Sequence, residues 1–331
     1  MEGFGQSEMS IETHHAVEQK LVRDMQSVAV PREFDSLLSR YAKITDDRDE
    51  LLWKWLYYVF PTFELSTVPP EQRDAARKSK FGFSVFMTIL DDISERHRDH
   101  RTFEQGRKIP FANAEPVYDT ESVDCTQLAL LEDTWELTAE FLDSAPRREE
   151  FHQLLEFDIR QSLNTMDYNR LVNDGPEITS PTAIEQYDTY NMLLFCYVGI
   201  DIAFSPSFSV TDLSTLRDIT WEAQKLARIG NWVTTWEREL AEDDYTSNVI
   251  VTAIDRGVVT VEELQSEAVS TATVIDQIRS TSIEQELLLK WNRTYRELLQ
   301  TDHGLESVDP YDFIDGMREL LEIDVKAYGL K

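Results

Sequence analysis

The chain is poor in the residues that punctuate a fold. Glycine and proline number 11 each in 331 residues, so tight turns are few and long helices are favoured over a many-turned β architecture. Two cysteines, Cys125 and Cys196, exclude a disulfide framework. Neither sits in a CxxC or His-rich cluster of the kind that binds zinc, and a reducing, cytoplasmic setting fits. Basic residues are also scarce: 32 Lys and Arg face 62 Asp and Glu, a net charge of −30. Such a chain repels nucleic acid and anionic lipid, so neither is an expected partner. Lysine is the scarcer cation, 10 against 22 arginines. Excess carboxylate with little lysine points to a halophilic protein, because a Debye length of roughly 3 Å at molar salt screens the self-repulsion. The longest near-continuous apolar run, residues 192–200, falls far short of the about 20 residues that span a bilayer. The opening MEGFGQSEMSIETHH carries acids and lacks the apolar stretch of a targeting signal.

What remains is helical periodicity. Residues 1–30 are expected to form a partly flexible N-terminal segment. Residues 31–331 are expected to form one all-α domain of about ten helices, a barrel-like bundle around a central pocket. Long helices are predicted over 73–97, 147–172, 184–204, 212–240 and 260–302, and a loop over 102–122. Residues 46–60 carry acids in their first turn and a thick aromatic face. No strand pair, glycine-rich phosphate loop or internal repeat is visible.

Two motifs can carry chemistry. The first is Asp91-Asp92-Ile93-Ser94-Glu95. Asp91 and Glu95, four apart, share one helix face. They extend a stripe made by Phe83, Ser84, Met87 and Thr88, so the carboxylates are expected at the mouth of a pocket. The arginines and histidine that follow, Arg96, His97, Arg98, His100 and Arg101, read as a complement to the helix dipole on a solvated face. The second motif is Asn231-Trp232-Val233-Thr234-Thr235-Trp236-Glu237-Arg238-Glu239. Asn231, Thr235 and Glu239 recur every four residues and form a stripe about 12 Å long. An amide oxygen, a hydroxyl and a carboxylate are hard ligands that can hold Mg²⁺ and leave positions for phosphate oxygens and water. Trp232 and Trp236 flank this stripe, unlike an ordinary solvated face, and Arg238 adds a cation suited to a diphosphate oxygen.

Asn231, Thr235 and Glu239 match the N-x-x-x-(S/T)-x-x-x-E metal motif, and the chain resembles the class I terpene synthases, in particular bacterial members. The Arg238-Glu239 ending, the acidic stretch Leu240-Ala241-Glu242-Asp243-Asp244 and the restart at Asn248-Val249-Ile250 are similar to that family as well. Asp91, Asp92 and Glu95 match its aspartate-rich motif, which precedes the Asn motif by 140 residues here. The resemblance implies a Mg²⁺-dependent lyase that ionises a linear prenyl diphosphate and converts the allylic cation to a terpene. Three Mg²⁺ ions are implied, held by Asp91 and Glu95, with Asp92 in the same catalytic motif, and by Asn231, Thr235 and Glu239. Geranylgeranyl diphosphate is the expected substrate, with farnesyl diphosphate next, and a homodimer is compatible. Met87 and the rings of Phe83, Phe86, Tyr190, Phe195 and Trp291 are the candidate pocket lining.

Three features depart from the family pattern. Trp232 replaces an Asp after Asn231. Asn191 stands where a diphosphate-sensing Arg is usual, leaving Arg160, Arg170 or Arg228 to replace it and Asn191 itself to hydrogen-bond diphosphate. The usual C-terminal Arg-Tyr pair is missing, and residues 311–316 with the tail to Lys331 are expected to form a lid. A head-to-head or chain-elongating prenyl transferase is the alternative, although such enzymes carry two Asp-rich motifs. A non-enzymatic acidic helical scaffold is the other.

Overall fold

Helix-forming sequence with little glycine or proline has one way to hide its apolar stripes, which is to pack helix on helix. The computed structural model describes residues 22–44, 50–118, 121–266 and 268–326. Among these the protein is all-helical, a single domain with fourteen named α-helices and no strand. The expected N-terminal tail lies largely outside the described residues, but residues 22–27 are helical and Met25 is buried.

The fourteen helices run in chain order. They are α1 (Asp35–Ile44), α2 (Glu50–Val59), α3 (Arg73–Glu95), α4 (His100–Gly106), α5 (Cys125–Leu142) and α6 (Arg148–Asp174). Next come α7 (Pro181–Tyr187), α8 (Leu194–Ala203) and the 29-residue α9 (Leu213–Ala241). The chain finishes with α10 (Asn248–Asp255), α11 (Val261–Leu264), α12 (Thr271–Arg279), α13 (Ile283–Gln300) and α14 (Pro310–Lys326). α3 packs most extensively on α5, α9 on α13 and α14, and α6 on α8. One continuous core joins them, and each fully buried Phe or Leu in it contributes about 1.5–3 kcal/mol.

The helix count exceeds the expected ten because two predicted long helices are broken. Over 260–302 the hydroxyl residues cap rather than propagate. Thr260 and Glu263 form a reciprocal capping box at α11, and the Ser270 side chain accepts from Thr273 N–H at α12. Over 184–204 the break is internal. A 3₁₀ turn covers Asp188–Met192, and Leu193 then takes a left-handed conformation, φ 60°, before α8 begins. The predicted loop at 102–122 also needs correction: it contains most of α4, whose first turn is capped by Asp99 accepting from Thr102 N–H (3.0 Å).

α14 occupies the region expected to form a lid. It is a packed helix seated on the 3₁₀ turn Phe60–Phe63, where a Cβ on Gly316 would stand 1.9 Å from the Thr62 carbonyl oxygen. Residues 327–331 lie outside the described residues. Two buried ion pairs tie the bundle internally. Lys80 on α3 meets Asp201 on α8 at 2.6 Å, and Arg228 on α9 meets Asp188 at 2.5 Å.

Candidate active site

α3 and α9 carry the two motifs, and the bundle places them on opposite walls of one cavity. The cavity has two compartments. A polar one of about 520 Å³ opens between the C-terminal ends of α3 and α9. An apolar one of about 210 Å³ continues from it into the bundle. Asp91, Asn191, Arg228 and Asn231 line both and therefore form the neck between them.

The α3 wall follows helical spacing. Ser84, Met87, Thr88 and Asp91 line the apolar compartment, and Asp91, Ser94 and Glu95 line the polar one. Asp92 is turned about 100° away by the helix itself. It is buried against α1, where the Tyr41 hydroxyl donates to it, and it lines neither compartment.

On the α9 wall Arg228, Asn231, Arg238 and Glu239 line the polar compartment. Thr235 lies one layer back and holds Glu239 in place, its hydroxyl donating to Glu239 Oε1 (2.7 Å). The amide oxygen of Asn231 accepts from Arg228. The flanking tryptophans are structural. Trp232 donates to Asp188 Oδ2 (2.9 Å) and Trp236 to Glu284 Oε1 (2.6 Å), and both rings are buried.

Arg228 is the cation at the neck. Its partner Asp188 is fixed by three donors: Arg228 Nε, Trp232 Nε1 and Asn169 Nδ2 (2.9 Å). Burial alone would lower the Arg228 pKa, but the charges of Asp188, Glu239 and Asp244 outweigh it and hold the guanidinium protonated. The three candidates for the missing diphosphate cation thus separate. Arg228 and Arg170 line the polar compartment. Arg160 faces away, paired with Glu156 and stacked over Phe111.

The carboxylates here are held in an unfavourable setting. Burial pushes the Glu95 pKa well above its ordinary value, and the charges of Asp91, Asp244 and Asp188 push it further. Glu239 is pushed up to about 7, by burial first and then by Asp244, against the opposing pull of Arg228 and Arg238. Glu95 Oε1 and Glu239 Oε2 are buried with no hydrogen-bond partner. Orphaned carboxylate oxygens on two facing walls fit a divalent cation, since they are hard donors lacking a positive partner. Seven carboxylates and five arginines line the compartment together. A lining of both signs fits neither a lone cation nor a lone anion. It fits a polyanion bound with its metal ions, the way Mg²⁺ is commonly held between a few carboxylates and substrate phosphates. A second group, His100, Glu104 and Asp167, brings three ligand atoms within 4.8 Å of one another, but Arg107 is paired with both of its carboxylates.

The expected aromatic lining is corrected throughout. Phe83 packs edge-on to Tyr197 (6.4 Å) and Phe86 against Trp135 of α5 (5.3 Å), because both lie beside the α3 stripe rather than on it. Tyr190, Phe195 and Trp221 stack on one another, with Arg217 4.5 Å above Phe195. Trp291 stacks on Tyr295 and donates to the Leu226 carbonyl (3.0 Å). None of these five lines either compartment, whereas Met87 does. The rings that do are Trp55, Phe60, Phe63 and Tyr197, three of them from α2 and the turn that follows it.

Sequence reasoning also missed polar residues. Arg96, Arg98 and His100, read as a solvated complement to the helix dipole, line the polar compartment. So does Asp244, whose carboxylate is fixed by Thr246 N–H (3.0 Å) and the Thr246 hydroxyl (2.7 Å). The acidic run 242–244 was the available signal. No known protein family, no curated protein and no solved structure matches this chain.

Proposed function

We propose that the protein is a Mg²⁺-dependent terpene synthase acting on a linear prenyl diphosphate. The observation that carries this reading is the junction of an apolar compartment with an acidic, arginine-lined one, the two motif helices meeting at the neck. A prenyl diphosphate has the same division, and its ester C–O bond would lie at that neck.

In this reading Asp91, Glu95, Asn231 and Glu239 would hold the ions, with Thr235 behind them fixing the Glu239 carboxylate and Asp244 beside them. Bound Mg²⁺ supplies positive charge that stabilises the leaving diphosphate. Arg228 offers its guanidinium N–H groups to the departing oxygen, and Asp188 keeps that cation oriented. Asn191, also at the neck, can donate its amide to the same group. The C–O bond breaks with both electrons passing to the phosphate oxygen, which leaves an allylic cation in the apolar compartment. There Trp55, Phe60, Phe63 and Tyr197 present rings whose cation–π attraction is worth about 2 kcal/mol or more when desolvated. The same rings exclude water, which would otherwise quench the cation. A purely structural scaffold gives no reason for two buried carboxylate oxygens without partners.

The test is incubation with C10, C15, C20 and C25 prenyl diphosphates, Mg²⁺ and high salt, reading diphosphate release and product mass. Geranylgeranyl diphosphate is the first substrate expected to turn over, and farnesyl diphosphate the next. Asp91→Ala and Asn231→Ala should each abolish turnover with unchanged circular dichroism. No diphosphate from any substrate, or full activity in both variants, refutes the proposal.

A further inference from the structure

Beyond the end of α3 the chain turns without glycine. The Asp99 N–H donates to the Ile93 carbonyl (2.9 Å), and the Asp99 side chain is committed to capping α4. Between these fixed points Arg98 adopts φ 51°, a left-handed conformation that crowds Cβ and that Gly or Asn takes more easily. Two other non-glycine residues among those described have positive φ, Leu193 and Asp243. All three line the cavity, Leu193 in the apolar compartment and Arg98 and Asp243 in the polar one. Strain retained at cavity positions points to function rather than to packing.

The charge of Arg98 is uncommitted. Of the other four arginines that line the compartment, Arg170, Arg228 and Arg238 each hold a carboxylate, Asp174, Asp188 and Glu242 respectively, while Arg96 ends α3 in an ordinary helical conformation and, like Arg98, pairs with no described carboxylate. Arg98 makes no ion pair with any described carboxylate, in a chain with 62 acids and 32 cations. It is exposed where Arg228 is buried, so it stands at the solvent end of the compartment, opposite the neck.

We infer that Arg98 is a diphosphate-binding residue, its guanidinium taking the terminal phosphate at the mouth while Arg228 takes the oxygen at the neck. The left-handed turn is kept because it delivers that guanidinium, with its planar fork of donors, into the compartment. This rests on the reading of the polar compartment as a diphosphate site.

The test is calorimetric titration of the full chain with inorganic diphosphate in the presence of Mg²⁺. Arg98→Asn and Arg98→Gly accept the left-handed backbone but remove the charge. Each should raise Kd about tenfold or more, in line with loss of a charge-assisted pair, while the melting temperature holds or rises as strain is relieved. Arg98→Lys, which keeps the charge and loses the fork, should fall between them and the wild type. Arg101→Gln is the control, since Arg101 lies outside the cavity and donates to Ser122 Oγ (2.6 Å); its Kd should not change. Wild-type affinity in Arg98→Asn and Arg98→Gly overturns the inference and leaves the diphosphate site standing. A wild-type chain that binds no diphosphate at any Mg²⁺ concentration overturns the site itself, and the inference with it.

Discussion

Replacing Glu239 with Gln should make the metal-free protein more stable and remove its response to Mg²⁺. Glu239 is 7 % exposed, and its carboxyl pKa is pushed up to about 7 from an ordinary 4.5. A raised carboxyl pKa means that the folded state binds this proton more tightly than the unfolded chain. Stability is therefore lost as pH rises from about 4.5, and the whole loss is present above about 7. Across that interval the linkage amounts to about 3 kcal/mol. Gln keeps the shape, and its amide oxygen can still accept from Thr235, so the variant should recover most of that amount at pH 8. With an unfolding entropy of about 2.1 cal/mol/K per residue, this corresponds to roughly 4 °C in melting temperature. At pH 5 the native carboxyl is already protonated, and the gain should fall below about 1 kcal/mol. The assay is thermal unfolding in EDTA at both pH values, repeated with Mg²⁺. Wild-type protein should gain about 2.7 kcal/mol at a hundredfold excess of Mg²⁺ over its Kd, whereas Glu239→Gln should gain little. A variant no more stable than wild type at pH 8 in EDTA would refute the claim that Glu239 is held charged against its surroundings.

Two further predictions concern the frame that holds the cavity. Lys80→Met should cost about 3–5 kcal/mol in urea unfolding, because Asp201 is left buried without its cation. The double variant Lys80→Met/Asp201→Leu should recover part of that loss but leave the Leu65 N–H without its acceptor, at about 1–3 kcal/mol; equal loss in both would contradict the charge argument. Gly316→Ala drives a Cβ to 1.9 Å from a backbone oxygen of the turn that forms the pocket wall, whereas Gly82→Ala meets side chains alone, the Thr138 hydroxyl at 2.4 Å and the Phe34 ring at 3.0 Å. The first should exceed the roughly 3 kcal/mol typical of overpacking and the second should stay within it, since a helix-propensity gain of about 1 kcal/mol offsets part of each. Comparable melting temperatures for the two variants would contradict this ranking.

The parts of this molecule that repeat with helical period were legible in the sequence. Asp91 and Glu95 fall on one face of α3 with Ser84, Met87 and Thr88, and Asn231 and Glu239 on one face of α9, because spacing fixes facing within a helix. Asp92 was misread for the same reason. It is adjacent to Asp91 in sequence but a quarter-turn round the helix, on the side that meets Tyr41. The aromatic lining was not legible. Which of two neighbouring faces meets the cavity depends on the partner helix, and Phe86 found Trp135 on α5 while Trp55 of α2 and Phe60 and Phe63 of the turn after it line the pocket. The break at Leu193 was hidden because the segment 187–204 has no proline, and its single glycine, Gly199, sits inside α8. Its 3₁₀ turn is held by tertiary contacts, with Asp188 drawn to Arg228 and the Tyr187 carbonyl accepting from Thr165.

These failures have a common cause that bears on the site itself. Arg98, Leu193 and Asp243 each occupy a backbone conformation that local sequence preference resists, so a reading built on local preference places each in an ordinary helix or turn. Each instead sits where two fixed elements meet. Arg98 lies between α3 and the cap of α4, Leu193 between the Asp188 hub and α8, and Asp243 in the turn that brings Asp244 N–H back to the Glu239 carbonyl (2.8 Å). A glycine at any of them would relieve the strain at no steric cost. At Leu193 it would also remove an apolar wall beside the neck, and at Arg98 a cation from the mouth. The three positions where side chain and backbone preference disagree therefore all add to the cavity lining that the regular faces of α3 and α9 begin.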